Sequence, residues 1–246
     1  MIKTAIFVEG QSELIFTREL ILKFFEYQNI WIECYELFND QNLNPTEYEF
    51  VNREAEFYFQ ILNIGNDNKV VSSILKREKY LFSENQCFDK IIGLRDMYSK
   101  EYREIVKDSQ IDTIINTRFI ENHKKTIQTL SLHPEKIHFH FAIMELESWL
   151  LGISGIFERF NSELTTNKIS QVIGIDLNND PETNIFHPAN VIDEILKIAN
   201  DSYDKKKSEV NKFLGRIDRK DIIDLLNSNK CNSFNSYCDS LEIRNS

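Results

Sequence analysis

Runs of apolar residues separated by polar segments predict five β-strands between residues 3 and 143. Lys3–Val8 (KTAIFV) and Phe88–Leu94 (FDKIIGL) are nearly continuous apolar runs, which is the pattern of strands covered on both faces. The predicted strands are Lys3–Val8, Ile30–Phe38, Glu54–Ile64, Phe88–Leu94 and Lys136–Ile143.

Apolar residues at helical spacing predict helices between and after these strands. In Glu13–Phe25, Leu14, Leu20 and Ile21 lie on one stripe, and Ser12 is placed to cap the helix. Further helices are predicted at 69–82, at 100–130 with a break near 108–111, and at 144–151, 153–160, 188–199, 206–213 and 218–226. The polar segments 39–46 and 174–186, which contain Pro45 and Pro181, are predicted loops.

The alternation of strands and helices predicts an α/β fold. Such a pattern is typical of a mainly parallel, Rossmann-like sheet with helices on its faces. Strand patterns end near residue 152, and the remaining chain is predicted to be helical. We therefore expect a catalytic domain at residues 1–152 and a helical C-terminal region at residues 153–246 packed on it.

Composition indicates a globular cytoplasmic protein. Of the 246 residues, 41% are hydrophobic, and no apolar run reaches the length of a membrane span. The start lacks the basic and then apolar pattern of a signal peptide. Cys34, Cys87, Cys231 and Cys238 form neither a disulfide framework nor a zinc-binding spacing. We expect no membrane association.

The formal net charge of −10 argues against a broad, non-specific hold on nucleic acid, because such affinity comes largely from neutralised phosphates. The charge is unevenly spread, however. Residues 33–56 carry a local charge of −6, whereas residues 203–220 carry +4. The basic segment is either a solvated helix surface or a local phosphate-binding face.

Acidic residues follow three of the predicted strands. Glu9 follows the first strand, Asp96 follows Phe88–Leu94, and Glu145 and Glu147 follow Lys136–Ile143. In open parallel sheets ligands bind beyond the carboxyl ends of the strands, so we expect these carboxylates to lie together. Glu9 taken alone has a simpler interpretation, as a solvated turn residue or a charge at a helix start.

Clustered carboxylates repel one another unless cations lie between them. Oxygen ligands favour Mg²⁺ or Mn²⁺ over zinc, and Mg²⁺ held by a few carboxylates is the usual arrangement for phosphodiester chemistry. The residues thus predict a divalent-cation site at the strand ends.

The order of these motifs resembles the Toprim domain of topoisomerases, primases and the nucleases of overcoming-lysogenization-defect type. That fold has a Glu after its first strand, here Phe7-Val8-Glu9-Gly10, and an acidic motif after a later strand. The usual second motif is Asp-x-Asp, whereas this chain has Asp96-Met97-Tyr98 and lacks the second carboxylate. The number of bound metal ions is therefore left open.

A Toprim-like family of uncharacterised prokaryotic defence proteins, encoded beside ABC-class ATPases, is a closer resemblance. It has an Asp-x-Tyr motif, a Glu-x-Glu motif before a hydrophobic helix, a Tyr-Asp-Lys motif and a final helix. The corresponding segments are Asp96–Tyr98, Glu145–Glu147, Tyr203–Lys205 and the stretch around Phe234. The resemblance covers nearly the whole chain.

This resemblance implies roles for particular residues. Glu9 would be a general acid or base or a metal ligand, and Lys205 would contact a phosphate as a point charge. The implied metal ligands are Asp96, Glu147 and Glu9, with Glu145 and Glu13 in support. The implied partner is an ABC-class ATPase.

Other candidate sites are less specific. His138 and His140 share a strand face and could bind a metal with Glu145, although ordinary strand-face hydrogen bonding explains them equally. Trp31 and Trp149 are interpreted as core or interface aromatics. The chain has no P-loop, dinucleotide fingerprint or GxSxG motif.

The leading hypothesis is a metal-dependent nuclease that cleaves DNA or RNA, as the effector of an antiviral defence system controlled by the ATPase. One alternative is a non-catalytic module that docks on the ATPase through exposed aromatics of its C-terminal helices. Another alternative keeps the same chemistry on a structured RNA such as tRNA. The substrate, the trigger and the oligomeric state, including a homodimer, are left open.

Overall fold

The computed structural model describes residues 1–38, 42–106 and 110–244. Within these residues, six strands form one sheet in the order β3-β2-β4-β1-β5-β6. The strands are β1 (Ile2–Val8), β2 (Ile30–Phe38), β3 (Asn42–Pro45), β4 (Phe57–Asn63), β5 (Lys90–Asp96) and β6 (Ile137–Ala142). The five predicted strands are confirmed, with shifts of a few residues at their ends.

The sheet is mostly parallel. Strand β1 pairs in parallel with β4 and β5, and β2 pairs in parallel with β4, while the edge strand β3 is antiparallel to β2. The predicted α/β class, a Rossmann-like sheet flanked by helices, is confirmed. The predicted loop at 39–46 is wrong where β3 forms, and residues 39–41 lie outside the described residues.

The helices alternate with the strands and then continue without them. Before residue 153 they are α1 (Gln11–Phe24), α2 (Val70–Leu81), α3 (Lys100–Ile105), α4 (Thr113–Leu130) and α5 (Glu147–Gly152). After it they are α6 (Thr166–Ile173), α7 (Pro181–Asn184), α8 (Pro188–Lys197), α9 (Lys207–Leu214), α10 (Arg219–Asn227) and α11 (Asn232–Ser240). The predicted break near 108–111 separates α3 from α4, although residues 107–109 are outside the described residues.

Three local predictions are wrong. Ser12 does not cap α1, because the helix begins two residues earlier than predicted, at Gln11, and the extended backbone of Gly10 takes the cap position. The helix predicted at 153–160 is reduced to a 3-10 turn at Phe157–Arg159. The loop predicted at 174–186 contains α7, whose start is fixed by the Asp180 side chain accepting a hydrogen bond from the Glu182 backbone N–H.

The chain separates into two compact units. The first unit comprises residues 1–95 and 114–141, and the second comprises residues 96–113 and 142–246. Each is assembled from two separate stretches of the chain. The predicted domain division at residues 152 and 153, with the C-terminal region packed on the first domain, stays a prediction.

The first unit is a sheet with helices on both faces. Phe25, just after α1, packs against Phe59 of β4. On the opposite face, Gly93 of β5 leaves room for Ile74 of α2 and for Phe139, since a Cβ at Gly93 would lie 2.4 Å from the Phe139 ring. The absence of a side chain at this position therefore lets α2 approach the sheet.

The second unit has a helical core centred on Trp149 of α5, which is fully buried. Its ring stacks on Tyr237 and contacts Phe234 edge to face, both from α11. The interpretation of Trp149 as a core residue is confirmed. Across the described residues, none of the helices combines the length and the apolar character that a membrane crossing requires.

Candidate functional site

Four of the predicted site residues meet within the second unit. They are Asp96, Glu145, Glu147 and Lys205, and we call them the carboxylate–lysine cluster. Asp96 is the last residue of β5. The chain after it is tied to the end of β6, because Met97 N–H donates to the Ala142 carbonyl and Tyr98 N–H donates to that of Met144, at 3.0 and 2.7 Å.

The start of α5 presents the two glutamates. Met144 adopts a left-handed backbone, with φ of 62°, where the chain turns from β6 towards the helix. Such a conformation is unfavourable for a residue with a side chain and is kept where surrounding contacts hold it. Two residues later, the Leu146 N–H donates to Asp96 Oδ1 at 2.9 Å, which ties this turn to Asp96.

Lys205 reaches the carboxylates from the segment between α8 and α9. Its ammonium Nζ lies 2.8 Å from Glu145 Oε1, 3.2 Å from Glu147 Oε2 and 4.0 Å from Asp96 Oδ2. Lys205 also has a left-handed backbone, with φ of 59°. One cation therefore lies between three carboxylates, and the backbone carrying it is in an unfavourable conformation.

Further hydrogen bonds orient the glutamates. Glu145 Oε2 accepts a hydrogen bond from the Ala189 N–H in the first turn of α8, at 3.1 Å. The N-terminus of a helix favours a negative charge at this place. Glu147 is 2% exposed, and its Oε1 accepts a hydrogen bond from the Tyr203 hydroxyl at 2.8 Å. Both glutamates thus keep one oxygen towards Lys205 and the other in a fixed hydrogen bond.

Two residues that support this arrangement had no predicted role. The sequence marks Tyr203 only as part of a short motif, and it carries no signal for Asp193. Asp193 Oδ1 accepts a hydrogen bond from the Tyr203 N–H at 3.0 Å, which ties the segment before Lys205 to α8. The Lys197 ammonium is the main cause that lowers the pKa of Asp193, together with this N–H. Nothing in the local sequence around Asp193 distinguishes it from a solvated helix residue.

The electrostatics of the cluster favour the charged lysine. Burial by itself would lower the pKa of Lys205, but the nearby carboxylates of Glu147, Asp96 and Glu145 outweigh burial and raise it above its ordinary value. The formal charge of the cluster is −2, since three carboxylates surround one ammonium. It is thus an acidic site with a single built-in cation.

The cluster does not present a ready metal site. Its carboxylate oxygens are the donor type that Mg²⁺ and Mn²⁺ prefer. Among the residues that the structure describes, however, no group of three or more His, Cys, Asp or Glu side chains has an arrangement that could hold a metal ion. The position between the carboxylates is taken by the Lys205 ammonium.

Glu9 and Glu13 belong to the first unit, unlike the cluster. Glu9 follows the last residue of β1, as predicted, and Glu13 lies buried in the first turn of α1. A Cβ at Gly10 would come within 3.0 Å of Glu13 Oε2, so the glycine leaves space for this carboxylate. That Glu9 and Glu13 act together with the cluster stays a prediction.

The histidines and the basic segment, the other candidate site residues, give less support for a functional site. Burial, followed by the charges of His138 and Lys124, lowers the pKa of His140 to about 3, so this ring stays neutral. In the basic segment, Lys206, Lys212 and Lys220 each pair with a carboxylate of the second unit. The segment is therefore partly neutralised.

The exposed aromatics expected in the C-terminal helices are not found among the described residues. Phe157, Phe213, Phe234 and Tyr237 are all buried. Their rings fill the core of the second unit, since a helical region of this size buries its largest apolar side chains first.

Comparison with family models matches residues 8–242 to a family described as a domain of unknown function, DUF4276. The chain belongs to this family. The match includes every residue of the carboxylate–lysine cluster and both glutamates of the first unit. No curated protein and no solved structure matches the chain.

Proposed function

We propose that this member of the DUF4276 family is a nuclease that hydrolyses phosphodiester bonds in DNA or RNA at the carboxylate–lysine cluster. The supporting observation is that three acidic residues and one lysine from three separate segments converge at one place. Burying charged groups is energetically costly, so a cluster of buried charges needs a reason to persist. Clusters of this kind occur preferentially at functional sites.

Lys205, Glu147 and Glu145 each have a role in this proposal. Lys205 attracts a phosphate oxygen as a compact positive charge. Glu147, fixed by the Tyr203 hydroxyl, and Glu145, fixed by the α8 N-terminus, hold the ammonium in position. Hydrolysis adds a water oxygen to phosphorus and breaks the ester bond, whose leaving oxygen takes up a proton. A carboxylate near the ammonium is suited to accept the proton of the attacking water.

The proposed cofactor is Mg²⁺ or Mn²⁺. When bound, such an ion would stabilise charge on the phosphate oxygens. Asp96, Glu145 and Glu147 supply suitable oxygen donors, but their present arrangement around Lys205 does not offer a metal position. The proposed mechanism therefore assigns its steps to the side chains alone. A cytoplasmic location, a role in antiviral defence and control by an ABC-class ATPase are part of the proposal through the Toprim-like resemblance.

The direct test is cleavage by the purified chain. Single-stranded DNA, duplex DNA and a structured RNA are incubated with Mn²⁺ or Mg²⁺, and products are resolved on denaturing gels. We expect Glu147→Gln and Asp96→Asn each to reduce cleavage by about 100-fold or more, the usual effect of removing an electrostatic catalytic group. Glu158→Gln, a change at an exposed glutamate of the second unit, is the matched control. The Glu9→Gln variant tests whether Glu9 takes part.

The same experiment includes the controls that could contradict the proposal. Circular dichroism shows whether each variant keeps its fold. Cleavage that is unchanged in folded Glu147→Gln and Asp96→Asn would remove this mechanism. Inclusion of EDTA separates metal-dependent from metal-independent cleavage, and a preference for RNA would favour the tRNA-directed alternative.

A second candidate is the non-catalytic module that docks on the ATPase. One observation favours it. The Lys205 ammonium already neutralises part of the negative charge of the three carboxylates, which a bound metal ion would otherwise neutralise. Calorimetric titration with Mn²⁺ discriminates the two, because the module predicts no metal binding that depends on Asp96 or Glu147.

A further inference from the structure

The first unit carries a cavity of about 720 Å³ beside helix α2. Its lining includes Gln60 of β4, Asn44 of β3, and Lys76, Arg77 and Tyr80 of α2. The volume lies within the range of roughly 300–1,000 Å³ that is typical of small-molecule sites. All eight described residues that line the cavity belong to the first unit.

The chemistry of the lining favours an anionic ligand. Lys76 and Arg77 are cationic, and the amides of Asn44, Gln60 and Gln86 can donate hydrogen bonds. Of the eight described residues that line the cavity, none is acidic. This composition contrasts with the net negative charge of the whole chain.

Arg77 is the decisive residue. Its Nε–H is buried and has no hydrogen-bond partner, and no carboxylate among the described residues forms an ion pair with its guanidinium. Burial lowers the pKa of Arg77. Buried donors in native proteins almost always have a partner, so the unpartnered Nε–H sets Arg77 apart from an ordinary helix arginine, and the same residue lines the cavity.

The Glu33 carboxylate, in register with one lining residue, does not change this conclusion. Glu33 of β2 is the register partner of Gln60. Its Oε2 accepts hydrogen bonds from the hydroxyls of Tyr35 and Tyr58, at 2.7 and 2.6 Å. This oxygen is therefore already engaged by two donors, and Glu33 does not line the cavity.

An aromatic ring adds a second recognition element. Tyr80 lines the cavity, yet 56% of its surface is exposed. An exposed ring beside cationic groups is suited to stack on a nucleobase whose phosphates face the cations.

We propose that this cavity binds a free nucleotide, with its phosphates at Arg77 and Lys76 and its base on Tyr80. A small ligand is favoured over a nucleic-acid strand, because strand binding requires many phosphate contacts and the described lining residues include two cations, Lys76 and Arg77. The proposal does not depend on the nuclease activity, since its residues are separate from the carboxylate–lysine cluster.

The test is isothermal titration of the full chain with ATP, pyrophosphate, adenosine and a single-stranded RNA oligonucleotide, in EDTA to exclude metal-mediated binding. We expect ATP and pyrophosphate to bind, and Arg77→Gln to weaken both by about tenfold or more. Tyr80→Ala should weaken ATP more than pyrophosphate. Lys79→Gln removes a charge from an exposed position of the same helix outside the cavity, and we expect it to change binding by less than about twofold.

Asp96→Asn should bind ATP as the wild type does, which separates this site from the proposed nuclease site. The proposal is overturned if neither ATP nor pyrophosphate binds below about 1 mM. It is equally overturned if Arg77→Gln and Lys79→Gln weaken binding alike, or if the RNA oligonucleotide binds more tightly than ATP and loses that affinity in Arg77→Gln.

Discussion

At the scale of single residues, Lys205 is the point on which the carboxylate–lysine cluster depends. Its ammonium contacts carboxylates of Glu145 and Glu147 directly, while its own backbone is left-handed. A conformation of this kind costs about 1 kcal/mol or more and persists only where contacts compensate. The ion pairs supply that compensation here.

Replacing Lys205 by methionine should lower the stability of the second unit. The change leaves three close carboxylates without their cation, and removal of one partner from a buried pair is strongly destabilising. Because 36% of the Lys205 side chain is exposed, we expect a discounted loss of about 1–3 kcal/mol in the free energy of unfolding at neutral pH. Urea denaturation measures it.

Lys206→Met is the matched control for this prediction. Lys206 is the next residue, and 74% of its side chain is exposed beside Asp204. We expect little change in this variant. A Lys205→Met protein as stable as the wild type would show that the cluster is not electrostatically coupled.

At the scale of secondary-structure elements, one carboxylate connects three helices of the second unit. Glu182 of α7 accepts a hydrogen bond from the Trp149 indole N–H of α5 at 3.0 Å, and one from the Ser233 backbone N–H of α11 at 3.1 Å. The Ser233 hydroxyl donates to it as well. Burial raises the pKa of Glu182, although these donors act in the opposite direction.

This raised pKa makes the stability depend on pH. The folded chain holds the Glu182 proton to a higher pH than the unfolded chain, so this group stabilises the fold below its ordinary pKa of 4.5. Its contribution is lost as the pH rises through the folded-state pKa. We therefore expect the free energy of unfolding of the wild type to fall, relative to Glu182→Gln, as the pH rises from about 4.5 towards neutrality.

Urea denaturation of both proteins across this pH range checks the prediction. Glu158→Gln serves as the control, because Glu158 is exposed and should leave the slope of the wild type unchanged. A constant difference between wild type and Glu182→Gln at every pH would contradict the assignment.

The elements also show where local pattern is sufficient. Strands β1, β2, β4, β5 and β6 are rich in apolar residues that bury in the sheet, so their periodicity identifies them. Strand β3 (NLNP) is polar and ends in proline, and it pairs with β2 at the edge of the sheet. Pairing at the sheet edge, rather than propensity, makes it a strand.

At the scale of the whole molecule, charge is the dominant property. Acidic residues exceed basic ones by ten over the chain, and several lysines of the basic segment are paired with carboxylates. Non-specific affinity for nucleic acid depends on unpaired cations that can displace counterions from phosphates.

We therefore expect the isolated chain to bind random duplex DNA weakly, with a dissociation constant above about 10 µM at 150 mM salt. Fluorescence anisotropy with a labelled duplex measures it. Sub-micromolar binding under these conditions would contradict this expectation. The chain would then not need a partner protein to provide affinity for nucleic acid.

The local sequence pattern is sufficient to predict the mainly parallel α/β sheet and to identify the acids that follow its strands. It is sufficient because strand periodicity and the position after a strand are local properties. Which of these acids meet depends on how the chain folds in three dimensions. Glu145 and Lys205 are 60 residues apart, and only the return of the chain after α8 brings the ammonium between the carboxylates.

The cavity beside α2 likewise belongs to the tertiary structure. Lys76 and Arg77 resemble any basic pair on a solvated helix, and the orphaned Arg77 N–H exists only because the chain packs around it. Burial and partnership are long-range properties, and a local pattern of residue types does not encode them.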